Sequence, residues 1–394
     1  MIEDMVDLES LSPDALRARG SMKWNRFGPD VLPMWVAEMD YPMAPPVLEA
    51  VRRTVERDGY GYAQVDQRVP ESFAAFAARR LGMEVNPEWT TVVPHVLSGI
   101  EWALDALTPA GAGVVVTTPA YMHFLEIPGM IGRPVVDVPL LEDREATDVN
   151  RRWTLDLDGI ERAFAGGARS LILCQPYNPV GKVFSRDELA ELSRIVERHG
   201  GWVLSDEIHA PLTLPGIQHV AYSSVSEAAA AHCITVTSAS KSFSMPGLPC
   251  ATVTLHSQAG HDLFRRNVHE DHLYGATTLG VEVNVAAYTQ GDEWLEQVRE
   301  HIAGNTARLK AFVETLPGVE YTPAEATYLA WIDFREAGIP GDPADFLRER
   351  GKLTLNSGPA FGPVGAGFAR MNLATTHELL EDGFQRIRTA LATL

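Results

Sequence analysis

The order of apolar runs along this chain predicts an α/β protein: a mostly parallel sheet covered by helices, with a smaller α+β unit beside it. Two observations carry that expectation. Short β-branched runs alternate with stretches of helical periodicity through the middle of the chain, the rhythm of strand–helix–strand units. After residue 284 the pattern changes to one long amphipathic stretch followed by two isolated apolar strands.

The elements follow in order. The first 45 residues are turn-rich, with prolines at 29, 33, 42, 45 and 46. Residues 114–118 (VVVTT) read as a strand entered from a Pro-Ala-Gly-Ala-Gly turn. Residues 170–174 (SLILC) read as a second. Leu189, Leu192, Ile195 and Val196 fall at helical spacing within 186–199, one apolar face of a helix. Residues 202–205 and 233–237 are further strands. Leu295, Val298, Ile302, Leu309, Phe312, Val313 and Leu316 lie near one face of a long helix. Residues 328–334 (YLAWIDF) and 368–373 (FARMNL) read as strands of the smaller unit, and a helix over 377–391 closes the chain. The expected division is a large domain over 46–284 and a small domain formed by both termini, 1–45 and 285–394.

Composition bounds the function. At 394 residues the chain can bury a large core. With 33 basic and 52 acidic residues the net charge is −19, so nucleic acid and anionic membrane surfaces are not expected partners. No stretch reaches the roughly 18 consecutive apolar residues of a membrane-crossing helix. Three cysteines without C-x-x-C spacing form neither a disulfide framework nor a zinc motif. The acidic N-terminus lacks a basic region followed by an apolar one, and the cytoplasm is the expected location.

Four chemistry-bearing segments each follow a strand. Tyr121 follows the first. Asn178, within NPVGK, follows SLILC. Asp206 and His209 follow 202–205. Ser238 and Lys241 follow 233–237. In open α/β sheets such positions converge beyond the carboxyl ends of the strands. Each segment alone has a plain structural reading: a turn, an N-cap, a surface lysine, a packed tyrosine. Together, and in this order, they match the needs of pyridoxal 5'-phosphate (PLP). That cofactor needs a lysine amine for its aldehyde and a carboxylate to keep its pyridine nitrogen protonated. It also needs an aromatic ring to stack on, a donor for its phenolic oxygen, and hydroxyl or N–H groups for its phosphate.

These residues carry a resemblance to the fold-type I PLP enzymes, the large aminotransferase superfamily. Within it the chain is similar to the MalY/PatB-type C–S β-lyases (cystathionine β-lyases). The carrying segments are LPMWVAEMDYP (32–42), YGY (60–62), TPAY (118–121), NPVGKVF (178–184), SDEIHAPL (205–212), TSASKSF (237–243), TYLAWIDF (327–334) and FARMNLA (368–374). The resemblance implies that Lys241 carries the cofactor and acts as catalytic base, that Asp206 pairs with the pyridine nitrogen, and that Tyr121 stacks on the ring. It implies that Asn178, with His209 beside it, meets the phenolic oxygen. Ser238 and the backbone of Val96 and Leu97 would hold the phosphate, with Tyr62 reaching the neighbouring subunit's phosphate in a homodimer. Arg370 would grip the substrate carboxylate, and Trp35 and Val36 would line the substrate entrance. No metal is implied.

The sequence departs from its relatives in three places. Ser244 stands where many have Asn. Asn356-Ser357-Gly358 replaces a Pro-Gly turn. His269–Tyr274 has no counterpart to carry over; its two histidines read as a solvated helix face. GPAFGPVGAG (358–367) lacks the GK[ST] of a phosphate loop and reads as a turn delivering 368–370. The implied activity is α,β-elimination from L-cystathionine, L-cystine or S-substituted L-cysteines, giving a thiol, pyruvate and ammonia. Two alternatives remain open here: an aminotransferase using the same residues, or a lyase-fold protein with an added regulatory role.

Overall fold

The computed structural model describes residues 6–63, 67–269 and 275–394. Its larger sheet holds seven strands: β1 (Thr90–Val93), β2 (Gly113–Val116), β3 (Val135–Asp137), β4 (Ala168–Cys174), β5 (Trp202–Asp206), β6 (Cys233–Thr237) and β7 (Ala251–Leu255). Their spatial order is β1-β7-β6-β5-β4-β2-β3. Five strands, β3 through β6 by way of β2, run parallel. Only β7 breaks the pattern, pairing antiparallel with both β6 and β1. Four of the parallel strands, β2, β4, β5 and β6, are almost wholly buried, as their apolar runs require, while the edge strand β3 is only half-buried and exposes Asp137.

The strand expected over 114–118 stops at Val116. Tyr177 explains the early end: its hydroxyl donates to the Thr117 carbonyl and lies 2.8 Å from Thr117 Oγ1, while Thr118 Oγ1 donates to Asp137 at 2.7 Å. The Thr117 carbonyl is thus taken by a side chain, although the Thr118 carbonyl still accepts the Leu140 N–H at 2.8 Å. Beyond them the chain turns sharply into Pro119-Ala120-Tyr121.

Two helices illustrate how sequence becomes packing. Helix α1 (Val96–Leu107) lies against the sheet because Gly99 lets it approach. A Cβ there would meet Val253 Cγ2 at 2.8 Å and Val236 Cγ1 at 3.0 Å. Helix α2 (Arg186–Arg198) starts with a capping box in which Ser185 and Glu188 bond each other's backbone N–H, satisfying two otherwise orphan donors. It buries Leu189, Leu192, Ile195 and Val196, each contributing roughly 1.5–3 kcal/mol.

Helix α3 (Asp292–Val313) spans the amphipathic stretch. Its first half, with Trp294, Leu295, Val298 and Ile302, packs on residues that include Phe73, Ala239 and Phe243. Its second half, with Leu309, Phe312 and Val313, packs under a smaller sheet. That sheet contains β8 (Glu320–Tyr321), β9 (Leu329–Asp333), β10 (Asn356–Ser357) and β11 (Phe368–Asn372), all antiparallel, in the order β8-β9-β11-β10. Helix α4 (His377–Leu391) closes the unit, with Phe384 stacked on Phe312 at 4.3 Å.

The glycine-rich segment before β11 forms two short 3-10 turns, Gly358–Phe361 and Pro363–Gly365, and delivers Arg370 as expected. His269 is not on a helix face. The helix Gln258–Asn267 ends before it, its C-cap Val268 already extended; His272 and Tyr274 lie outside the described residues. No helix among the described residues is long and apolar enough to cross a membrane.

Candidate active site

The register of the parallel strands sets their carboxyl ends side by side: Cys174 opposite Asp206, and Asp206 opposite Val236. A cavity of about 400 Å³ opens there. Of the residues singled out from sequence, Lys241, Asp206, Tyr121, Asn178, His209, Ser238, Val96, Leu97, Arg370, Trp35 and Val36 all line it. Tyr62 does not. It is fully exposed and faces a separate shallow hollow formed by residues 59–63 and 276–279.

Asp206 is the last residue of β5 and is buried. Its Oδ1 accepts the Ile208 N–H at 3.1 Å. Among the described residues no cation meets it at contact distance. Burial pushes its carboxyl up to about 7; Glu207 adds to the rise, while the Ile208 bond and Lys241 oppose it. Such a group favours the approach of a cation.

Lys241 follows β6. Its Nζ donates to the Ala37 carbonyl at 3.1 Å. Burial, then the Arg370 charge, lowers its ammonium to about 8, against the pull of Asp206 and Glu38. An amine so placed is still mostly protonated at neutral pH, but its neutral fraction, the form a nucleophile or base needs, is far larger than that of a free lysine.

Arg370 rises from the middle of β11 and is buried. Nη1 donates to Asn178 Oδ1 at 3.0 Å and Nη2 to the Trp35 carbonyl at 3.2 Å. Among the described residues its Nε has no hydrogen-bond partner, and the Phe361 ring lies 4.9 Å away. Asn356, turned so that its amide oxygen faces Arg370, adds an acceptor for Nη2 at 3.0 Å. Burial lowers the guanidinium to about 10, with Tyr121 and Tyr328 opposing. A buried cation whose partners are neutral, with one donor orphaned, is a receptor for an anion.

Because Asn178 Oδ1 is taken by Arg370, its amide NH₂ is left as a donor. His209, also buried, has no hydrogen-bond partner for Nδ1 among the described residues. Burial, reinforced by Lys241 and Arg370, lowers its imidazole to about 3, so the ring is neutral at any ordinary pH. Tyr121 meets Phe124 edge-on at 5.4 Å, and burial raises its phenol. Helix α1 begins at Val96 without a side-chain cap, leaving its first N–H groups free for an anion. Ser238 Oγ donates to the Cys250 carbonyl at 2.7 Å and accepts from Ser240 N at 3.1 Å.

The sequence reading missed what holds this set in place. Residues 35–40 form a strap of carbonyls whose first three residues line the cavity. Ala37 accepts from Lys241 and from the Tyr328 hydroxyl at 3.2 Å. Val36 and Glu38 both accept from Asn372 Nδ2 at 2.7 Å. Beneath the strap, Lys23 donates to the Glu38 carbonyl at 2.9 Å and to Asp40 at 2.7 Å, with Trp24 on the other Asp40 oxygen. Ser244 sits at φ +52°, a left-handed position suited to Asn. There its hydroxyl accepts the Met39 N–H at 3.0 Å. The Asp–Glu pair after β5 also separates in role. Glu207 turns away from the cavity to His219 at 2.8 Å and Ser205 at 2.8 Å.

The donor set fits PLP. One cavity offers a buried carboxylate wanting a cation, an amine of lowered basicity, an uncapped helix start for a phosphate and an aromatic ring. An orphaned guanidinium donor is left for a second anion.

Comparison with known proteins agrees. The family model for aminotransferase class I and II matches residues 29–387. The chain is 37% identical over 381 residues to cystathionine beta-lyase of Corynebacterium glutamicum, covering 96% of this chain and 98% of that protein. It is 32% identical over 380 residues to cystathionine beta-lyase PatB of Bacillus subtilis, covering 94% and 97%. A crystal structure from Corynebacterium diphtheriae, assigned as a PLP-dependent beta-cystathionase, superposes with a TM-score of 0.92 at 37% identity, covering 98% of this chain and 99% of that one.

Proposed function

This chain belongs to the aminotransferase class I and II family, and from that membership and the cavity we infer a PLP-dependent carbon–sulfur β-lyase acting on amino-acid thioethers. The observation that carries the reading is Arg370: a buried guanidinium with an orphaned Nε, in the same cavity as Lys241 and Asp206.

We assign the residues as follows. Lys241 holds the cofactor, and Asp206 faces its pyridine nitrogen. Tyr121 stacks on the ring, and Asn178 and His209 meet the phenolic oxygen. Ser238 and the N–H groups of Val96 and Leu97 take the phosphate. The preferred substrates are L-cystathionine, L-cystine and S-substituted L-cysteines. We further propose a cytoplasmic homodimer. The full exposure of Tyr62, outside its own chain's cavity, supports its reaching a partner's site.

Bound PLP draws electron density from the substrate Cα, which makes the Cα proton removable and the bond from Cβ to sulfur breakable. The protein does the rest. Arg370 fixes the α-carboxylate, using donors already aimed by Asn178 and Trp35. That fixed point, with Trp35 and Val36 on the wall, sets which Cα bond faces Lys241. Lys241 Nζ, once the substrate amine has displaced it, would be free to take the Cα proton as general base. The thiolate leaves from Cβ with the C–S bonding pair, and the remaining fragment hydrolyses to pyruvate and ammonia. His209 stays neutral throughout and adds no competing acid beside Lys241.

The test uses the cofactor-loaded protein with L-cystathionine and no oxo acid. Thiol release supports the lyase. Turnover that requires an added oxo acid would make the same site an aminotransferase.

A further inference from the structure

We propose that Glu9, His301 and His377 form a binding site for one divalent cation of the zinc type, remote from the catalytic cavity. The three residues come from three separate parts of the chain. Glu9 precedes the first helix (Pro13–Ala18), His301 lies within α3, and His377 opens α4. Their ligand atoms all lie within 4.8 Å of one another, the one such group of His, Cys, Asp or Glu side chains among the described residues. Glu9 Oε1 is 2.5 Å from His301 Nε2 and 3.2 Å from His377 Nδ1. None of the three lines the catalytic cavity.

Two imidazole nitrogens and one carboxylate oxygen suit zinc, leaving a fourth position for water. The donors are aimed by their surroundings. The Tyr41 hydroxyl, on a buried side chain, lies 2.9 Å from His301 Nδ1, the kind of outer contact that fixes a ligating imidazole. The His377 backbone N–H donates to Glu9 Oε2 at 2.9 Å, which orients the carboxylate and leaves Oε1 toward the rings. Arg308 and Glu381 are close by and pair with each other at 3.6 Å, so neither leaves a full charge on the site. Access is open: Glu9 and His377 are each 39% exposed, His301 12%.

Binding requires a defined rearrangement. The two rings now stack at 4.5 Å with planes 16° apart, whereas a metal lies in the plane of each ring it binds. The His377 ring must therefore turn, and its exposure gives it room. The Glu9–His301 contact must widen to about 3.4 Å, the span across two bonds of about 2.1 Å at a tetrahedral centre. The metal takes the place of the Glu9–His301 hydrogen bond, and the proton on the coordinating nitrogen is released as the metal binds. Once bound, the ion would tie the N-terminal segment to α3 and α4.

The experiment uses tag-free, cofactor-loaded protein, desalted after exposure to zinc chloride. One zinc per chain is expected to remain, and zinc should raise the melting temperature. Cobalt(II) should give the visible bands of a tetrahedral site. Glu9→Gln and His377→Ala should lose both retention and the thermal shift, and Tyr41→Phe should weaken binding about tenfold. Lyase activity should be unchanged in the Glu9 and His377 variants, which shows them to be folded; His377→Gln is the second choice if alanine destabilises α4. Failure to retain zinc overturns the proposal. So does zinc retention that survives Glu9→Gln and His377→Ala, because the metal would then sit elsewhere.

Discussion

Replacing Asp206 by Asn should stabilise the cofactor-free protein and weaken its hold on the cofactor. The size follows from burial. The Asp206 carboxyl is raised from 3.8 to about 7, roughly 3 units, and each unit is worth about 1.4 kcal/mol. The folded chain therefore bears about 4 kcal/mol for keeping this charge at neutral pH. A raised carboxyl stabilises the fold relative to its charged form below the unfolded value of 3.8, and that contribution is lost as pH rises through about 7. Asn keeps an oxygen for the Ile208 N–H and carries no charge. Urea titrations of both cofactor-free proteins across this pH range make the assay. The variant's advantage should grow from near zero at about pH 4 to as much as about 4 kcal/mol above about pH 7. Titration with PLP should show the opposite order, with the wild type binding more tightly. An advantage that does not change with pH, or a variant less stable at pH 8, would refute the reasoning. A merely structural aspartate would not give opposite signs in the two assays.

Other outcomes follow from the same geometry. Lys241→Ala should lower turnover by about 10²–10⁴-fold, the usual worth of a general base, measured as thiol release per cofactor-loaded chain. Arg370→Lys keeps the charge but loses the fork that bonds Asn178 and Trp35. Its kcat/KM should fall by about tenfold or more, mainly through KM. His209, lowered from 6.5 to about 3, contributes stability that is present above pH 6.5 and lost as pH falls toward 3. His209→Asn should therefore be less acid-labile than wild type, by about 2 kcal/mol near pH 5 in denaturant titrations of the cofactor-free protein.

The legible parts of this molecule are those where one residue type in one local context has one use. Apolar β-branched runs marked β4, β5 and β6, and the polar residue just past each run marked Asn178, Asp206 and Lys241. Helix α4 was readable from its apolar spacing. Strands β1 and β7 were not read, and the antiparallel pairing of β7 depends on a partner distant in sequence. The carbonyl strap over residues 35–40 could not be read either, because backbone oxygens leave no trace in residue identity. Tyr328 and Asn372 act through that strap and so looked like ordinary strand residues. Asn356 was visible only as a departure from relatives; the fold puts it within reach of Arg370. Ser244, another departure, keeps the left-handed turn and adds a bond to Met39. The same physics conceals the Glu9–His301–His377 cluster, whose members are separated by 292 and 76 positions.

One measurement bears most directly on the central claim, that a single cavity built on Lys241, Asp206 and Arg370 performs β-elimination. Cofactor-loaded protein is given L-cystathionine with no oxo acid, and thiol and pyruvate are quantified together in wild type and Lys241→Ala. Equal amounts of both products from the wild type, and at least about a hundredfold less of each from the variant in the same time, are the predicted result. Pyruvate and thiol in unequal amounts, products formed at an undiminished rate without Lys241, or turnover only after an oxo acid is added would contradict it.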